Sequence, residues 1–263
     1  MNFSIKVKKL INSVSSKDRK LVCLTAYTAP MASLINEYCD LILVGDSLGV
    51  VLYDLKTTRK VTIEMMINHS RAVVKNANKK LVIVDMPFGT YENSKSLALK
   101  NARKIIKESK ADAVKLEGGE KIYETVKYLT HNGINVMGHI GMLPQSIKGS
   151  PKVYGKTKLE KKQILKDLKL LENAGVFSIV VECTLETVVS DVLKEKRVPI
   201  IGIGASPECD GQILVTEDIL GMSNFKSKFL KKYFDFNQKS RKPLEKFYKD
   251  VSLNKFPSKK QCY

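Results

Sequence analysis

Long apolar runs are missing from this 263-residue chain. None approaches the roughly 18 residues that a membrane helix needs, so the sequence predicts no membrane span. The first twenty residues, MNFSIKVKKLINSVSSKDRK, alternate charged and apolar side chains. They lack the continuous apolar segment and small-residue cleavage site of a secretory signal, which points to a cytoplasmic protein. Paired cysteines are missing too. Cys23, Cys39, Cys183, Cys209 and Cys262 form no CxxC motif and are odd in number. This argues against a disulfide framework or a zinc site and leaves reduced thiols. Arginine is scarce, at six of 45 basic residues. The formal charge of +18 invites a nucleic-acid reading, but the lysines are scattered and no segment interleaves them with stacking aromatics. The excess is read as solvated helix faces, with no nucleic-acid or membrane partner.

A hydrophobic fraction of 43% supplies a core, and the length suits one α/β barrel domain. Short apolar runs rich in β-branched residues recur along the chain. They are Leu21–Tyr27, Leu41–Asp46, Leu81–Pro87, Ala113–Gly118, Ile134–Ile140, Phe177–Cys183, Val198–Gly204 and the weaker Gln212–Thr216. Nearly continuous apolar strands imply burial on both faces, as in a parallel sheet covered by helices. Between them lie helical patterns. Thr62 and Thr184 are N-cap candidates, while Gly133 and Gly175 stand where helices should stop. Eight β-then-α units predict a closed (β/α)8 TIM barrel, with an open doubly wound sheet as the alternative. The expectation is one domain over 1–263, with a helical C-terminal extension from about residue 223. There the text KSKFLKKYFDF and PLEKFYKDV reads as amphipathic helix. The stretch Ser146–Lys158 reads as a loop long enough to be an active-site flap.

Ionisable residues appear in an informative place, near the C-terminal ends of the strands. Asp46 ends the second run and Ser47 follows it; Asp85 lies near the end of the third. Lys115 and Glu117 lie two apart in the fourth, so both leave one face. His139 is late in the fifth run and Glu182 late in the sixth. Each alone has a structural explanation: a helix cap, a salt bridge or a satisfied core histidine. Together, at the one rim where all barrel strands end, they form a ring.

Carboxylates buried together are costly unless a cation neutralises them. Oxygen ligands without cysteine suit a hard ion, Mg²⁺ above others. Such an ion polarises a 2-oxo acid and acidifies its neighbouring C–H. Glu182, between Val181 and Cys183, is the base candidate, and Lys115 the partner for an anionic substrate or enolate. Carbanion or enolate chemistry on an oxo acid is the expected reaction class. The glycines of Gly202–Ala205 invite a phosphate reading; close packing is preferred, since such an acid carries no phosphate.

At these residues the chain resembles the ketopantoate (3-methyl-2-oxobutanoate) hydroxymethyltransferase family. The matching text is LTAY (24–27), LVGDSLG (43–49), DMPF (85–88), VKLEGG (114–119), GHIGMLPQS (138–146), VVEC (180–183) and GIGA with DGQILV (202–205, 210–215). The resemblance covers nearly the whole chain. It implies a TIM barrel of the phosphoenolpyruvate/pyruvate type. It also implies transfer of a hydroxymethyl group from 5,10-methylenetetrahydrofolate to 3-methyl-2-oxobutanoate, giving 2-dehydropantoate for pantothenate biosynthesis. One Mg²⁺ per subunit would sit on Asp46 and Asp85, with Glu117 contributing. Asp46, Ser47, Asp85 and Lys115 would hold the oxo acid, Glu182 would accept the C3 proton, and His139 occupies a matching site position. A homo-oligomer, often a decamer in such proteins, is implied as well. Thr28, Asp54–Lys56 and Ser206 depart from the family pattern and bear on the folate side. The alternatives are another Mg-dependent enolate-forming lyase or mutase of the same barrel type, and a non-enzymatic basic nucleic-acid-binding protein.

Overall fold

The computed structural model describes residues 3–16, 19–147 and 152–263. Eight strands form in chain order: β1 Leu21–Thr25, β2 Leu41–Val44, β3 Leu81–Asp85, β4 Ala113–Glu117, β5 Val136–Gly141, β6 Ser178–Glu182, β7 Ile200–Ile203 and β8 Gly211–Leu214. Every neighbouring pair is parallel, and β8 pairs back onto β1, so the barrel is closed. The open-sheet alternative is thereby removed. Two compact units result, Met1–Val215 and Thr216–Tyr263, the first holding the whole barrel.

Alternation along each strand separates two apolar layers. On β4, Val114 and Leu116 join the large cluster between strands and helices, while Ala113 faces the cluster that includes Leu41, Ile83, Met137, Phe177 and Ile213. Lys115 and Glu117 share the face of Ala113 and continue it toward the C-terminal end. The inner apolar layer thus forms a floor beneath the polar rim. The helix Ile5–Ser15 adds Val7 and Leu10 to that floor. Its Lys6 pairs with Asp112 at 2.8 Å and donates to Lys80 O, both just ahead of strand starts. This fixes the helix against the N-terminal end of the barrel.

Local signals account for the helix ends. Thr62 caps Ile63–Asn76 by accepting from Met65 N. Thr157 and Glu160 form a reciprocal capping box at Lys158–Ala174, and Gly175 ends that helix at φ +88. Gly133 likewise follows Tyr123–His131 at φ +79. Thr184 behaves otherwise than expected. Its hydroxyl donates to Glu182 O at 3.0 Å, and the helix Glu186–Glu195 starts after Leu185 without a side-chain cap. Gly202 packs closely, as expected: a Cβ there would lie 2.9 Å from Cys209 Sγ. The expected flap, 146–158, includes residues 148–151, which lie outside the described residues.

In the second unit, Pro243–Val251 is helical within Phe236–Ser252. Lys226–Asp235 is not, against expectation. Its Tyr233 and Phe234 amides donate to Ile219 O, and Phe236 N donates to Leu220 O. Those bonds strap the segment along the turn at Thr216–Ile219 instead of closing a helix of its own.

Candidate active site

Strand pairing brings the polar groups together before any side-chain contact is considered. Asp85 on β3 is in register with Lys115 on β4, and Glu117 on β4 with His139 on β5. Glu182 on β6 is in register with Gly141. Residues in register on neighbouring strands point to the same side, so all five enter the barrel. Asp46 lies just past β2, where its amide N donates to Asp85 Oδ2 at 3.0 Å. The turn is tight: a Cβ on Gly45 would lie 2.8 Å from Ser47 Oγ and 3.5 Å from Asp85 Oδ2. Ser47 is half-buried, with its Oγ 2.7 Å from Tyr27 Oη.

The remaining six groups are buried, none more than 9% exposed. Lys115 Nζ lies 2.9 Å from Asp85 Oδ1 and 3.3 Å from His139 Nδ1. His139 Nδ1 also lies 3.7 Å from Glu117 Oε1, and its Nε2 lies 3.1 Å from Glu182 Oε2. An ammonium only donates, so Nδ1 accepts from it and the ring proton belongs on Nε2, facing Glu182. Asp85 Oδ1 and His139 Nε2 are charge-close to these partners but not aligned for hydrogen bonds.

Charge balance is uneven here. Burial, and then Asp85, raise the Asp46 carboxyl from its ordinary 3.8 to about 7, against the pull of Lys115 and Gln145. Burial pushes Glu117 well above its ordinary value. Burial alone would lower Lys115; the carboxylates of Asp85, Glu117 and Asp46 outweigh it and hold the ammonium charged. Burial and then the Lys115 charge drive His139 far below 6.5, so the ring is neutral. Burial lifts Glu182 to about 7, opposed by Lys115. A carboxyl poised there is a competent proton acceptor near neutral pH.

Two contributors carry no charge and were not singled out from the sequence. Gln145, buried in the turn Pro144–Ser146, donates its backbone N–H to Glu117 Oε2 at 2.9 Å. Its side chain donates to Asp46 Oδ2 at 2.8 Å. Tyr91 donates to Gln145 Oε1 at 2.6 Å. The signal available was the position of Gln145 within GHIGMLPQS, not its residue type.

A family model described as ketopantoate hydroxymethyltransferase matches residues 4–259. The chain belongs to that family. It is an enzyme of the transferase class. A 3-methyl-2-oxobutanoate hydroxymethyltransferase of Pelagibacter ubique is 50% identical over 257 residues, covering 97% of this chain and 99% of its own. The protein of the same name from Rhizobium etli is 46% identical, covering 91% and 89%. Among solved structures, a phosphoenolpyruvate phosphomutase from Streptomyces platensis superposes with TM-score 0.64 at 11% identity, over 93% of this chain and 88% of that one. A 2,3-dimethylmalate lyase of the PEP mutase/isocitrate lyase superfamily gives 0.59 at 10%, over 100% and 91%. These likenesses establish the barrel type and nothing finer. Among the described residues, no helix is long and apolar enough to cross a membrane.

Among the described residues, no three His, Cys, Asp or Glu side chains already converge to hold an ion alone. The Asp46–Asp85 pair remains, with three buried carboxylates including Glu117 facing one ammonium, and with Asp85 Oδ1 lacking a hydrogen bond. That set fits Mg²⁺, which binds through one or two carboxylates and leaves its other positions to water and substrate oxygens.

Proposed function

We propose that the chain transfers a hydroxymethyl group from 5,10-methylenetetrahydrofolate to 3-methyl-2-oxobutanoate, giving 2-dehydropantoate in the pathway to pantothenate. The observation that carries this reading is the Glu182 carboxyl, raised to about 7 and placed across His139 from the Lys115–Asp85 pair. The full-length relatives supply the substrate names. Asp46 and Asp85 would hold Mg²⁺, with Glu117 adding to the negative field. When bound, the ion polarises the 2-oxo group and makes the C3–H acidic. A phosphonopyruvate hydrolase of similar barrel (TM-score 0.62, 12% identity, over 98% of this chain and 93% of that one) was solved with oxalate and Mg²⁺, which supports a metal-assisted reaction of a small acid on this barrel type.

The chain's own groups divide the remaining work. Lys115 stays protonated and offsets the charge that develops on the enolate oxygen. Ser47, steadied by Tyr27, faces the substrate at the turn after β2. Glu182 takes the C3 proton, with the neutral His139 ring beside it, Nε2 at 3.1 Å. The C3 carbon then bonds to the folate-borne carbon, both carbon–nitrogen bonds of that carbon break, and one water supplies the new hydroxyl; the C3 proton and the remaining water proton end on the two folate nitrogens. Burial excludes other water from the Glu182 carboxyl. A lyase or mutase of the same barrel type is the weaker reading, because it rests on fold likeness at 9–12% identity.

Product formation with both substrates and Mg²⁺ tests the proposal, alongside exchange of the C3 proton in D₂O. Glu182→Gln should abolish both. Exchange without product in the unmodified enzyme would refute the transferase reading and leave enolate formation standing. A homo-oligomer belongs to the same reading. The helix Phe236–Ser252 buries no residue and exposes Leu244, Phe247 and Tyr248, which supports self-association; sedimentation velocity tests it.

A further inference from the structure

We propose that Gln145 is a positioning residue that aims the Asp46 and Glu117 carboxylates at a divalent cation, with Tyr91 setting the direction of its amide. The inference rests on the metal reading above and extends it to residues that bind neither metal nor substrate.

Gln145 is 2% exposed, and every polar atom of its side chain is engaged. Nε2 donates to Asp46 Oδ2 at 2.8 Å and to Met86 O at 3.0 Å. Oε1 accepts from Tyr91 Oη at 2.6 Å, and Tyr91 Oη in turn accepts from Glu117 N at 3.3 Å. The amide cannot be turned over. Met86 O is a carbonyl and only accepts, so the atom beside it must be the NH₂ group. A reversed amide would set its oxygen against Met86 O and Asp46 Oδ2 together. The backbone of the same residue donates to Glu117 Oε2 at 2.9 Å. One residue therefore grips one oxygen on each of two carboxylates and ties them to the ends of β3, β4 and β5.

The residue type follows from the charge at the site. A lysine here would compete with the cation for the same oxygens. A glutamate would add a carboxylate where burial already penalises three. Glutamine supplies two donors without charge. Partners that orient ligands in this way govern metal affinity, with losses of about 10- to 100-fold on removal.

Titration of the full chain with Mn²⁺, followed by electron paramagnetic resonance, tests the proposal. Gln145→Met keeps length and removes the donors; Mn²⁺ affinity should fall about 10- to 100-fold. Excess metal should restore much of its turnover. Tyr91→Phe removes the hydroxyl that orients the amide and accepts from Glu117 N. It should weaken Mn²⁺ binding in the same direction, by less, at a cost of about 1–3 kcal/mol in stability. It also decides the matter if Gln145→Met fails to fold. Mn²⁺ affinity unchanged in the variants that fold, while Asp46→Asn loses binding, would overturn this proposal alone. No Mn²⁺ binding by the unmodified chain would overturn the metal reading and this proposal together.

Discussion

Replacing Glu182 by glutamine should make the barrel more stable while destroying its activity, and the gain should depend on pH. The carboxyl ionises at about 7 in the folded chain against an ordinary 4.5, chiefly because burial disfavours its charged form. The folded value is raised, so folding favours the proton. The penalty is absent below pH 4.5, grows between 4.5 and 7, and is complete above 7. At 1.36 kcal/mol per tenfold difference, this comes to about 3 kcal/mol at pH 8 and about 1 kcal/mol at pH 5.5. Glutamine keeps the shape of the side chain beside His139 but carries no charge to bury. Denaturant or thermal unfolding with chelator present, at both pH values, reads the difference. The variant should lead by roughly 2 kcal/mol more at pH 8 than at pH 5.5. An advantage that is flat with pH, or a variant less stable at pH 8, would refute burial as the source of the raised value.

The same ionisation should appear in turnover. kcat/KM for the oxo acid should fall about tenfold per pH unit below 7, because only the carboxylate accepts a proton; a pH–rate profile level down to pH 5 would count against Glu182 as the base. Lys115→Met removes the ammonium beside Asp85 and should cost about 3–5 kcal/mol in chelator at pH 8 by leaving buried carboxylates unpaired. Unfolding with and without Mg²⁺ checks it, and added metal should recover part of the loss. Gly45→Ala places a methyl 2.8 Å from Ser47 Oγ and should push it off Tyr27 Oη. The overpacking costs about 1–3 kcal/mol, and KM for the oxo acid should rise several-fold; an unaltered KM would show that Ser47 does not hold the substrate.

The barrel was legible because its strands are buried on both faces and read as unbroken apolar runs. An acid or lysine inside such a run stands out, which is why Asp85, Lys115, Glu117 and Glu182 could be found by position alone. Gln145 and Tyr91 could not. Each is uncharged and lies in a connection, where a polar or aromatic residue is ordinary; their importance lies in where their hydrogen bonds end. The helix start after β6 was misplaced for a related reason. Thr184 has the chemistry of a cap, but its hydroxyl is engaged by Glu182 O, and the helix begins one residue later, after Leu185. Lys226–Asp235 failed through pairing with a distant segment: its Tyr233 and Phe234 amides reach Ile219 O, which periodicity cannot show.

The in-register pairing of Asp85 with Lys115 and of Glu117 with His139 carries a mechanical consequence. The spacing of these charges is set by the pleat and by the interstrand distance of about 4.8 Å, both nearly inextensible. Neighbouring loops are soft by comparison. Insertions, sequence drift or thermal loosening in the connections would therefore change what approaches the rim, while the separations among the acid, base and ammonium groups stay constant. Tolerance to change is distributed unequally: wide in connections that carry no site residue, almost nil in the staves and in the turns that hold Asp46 and Gln145.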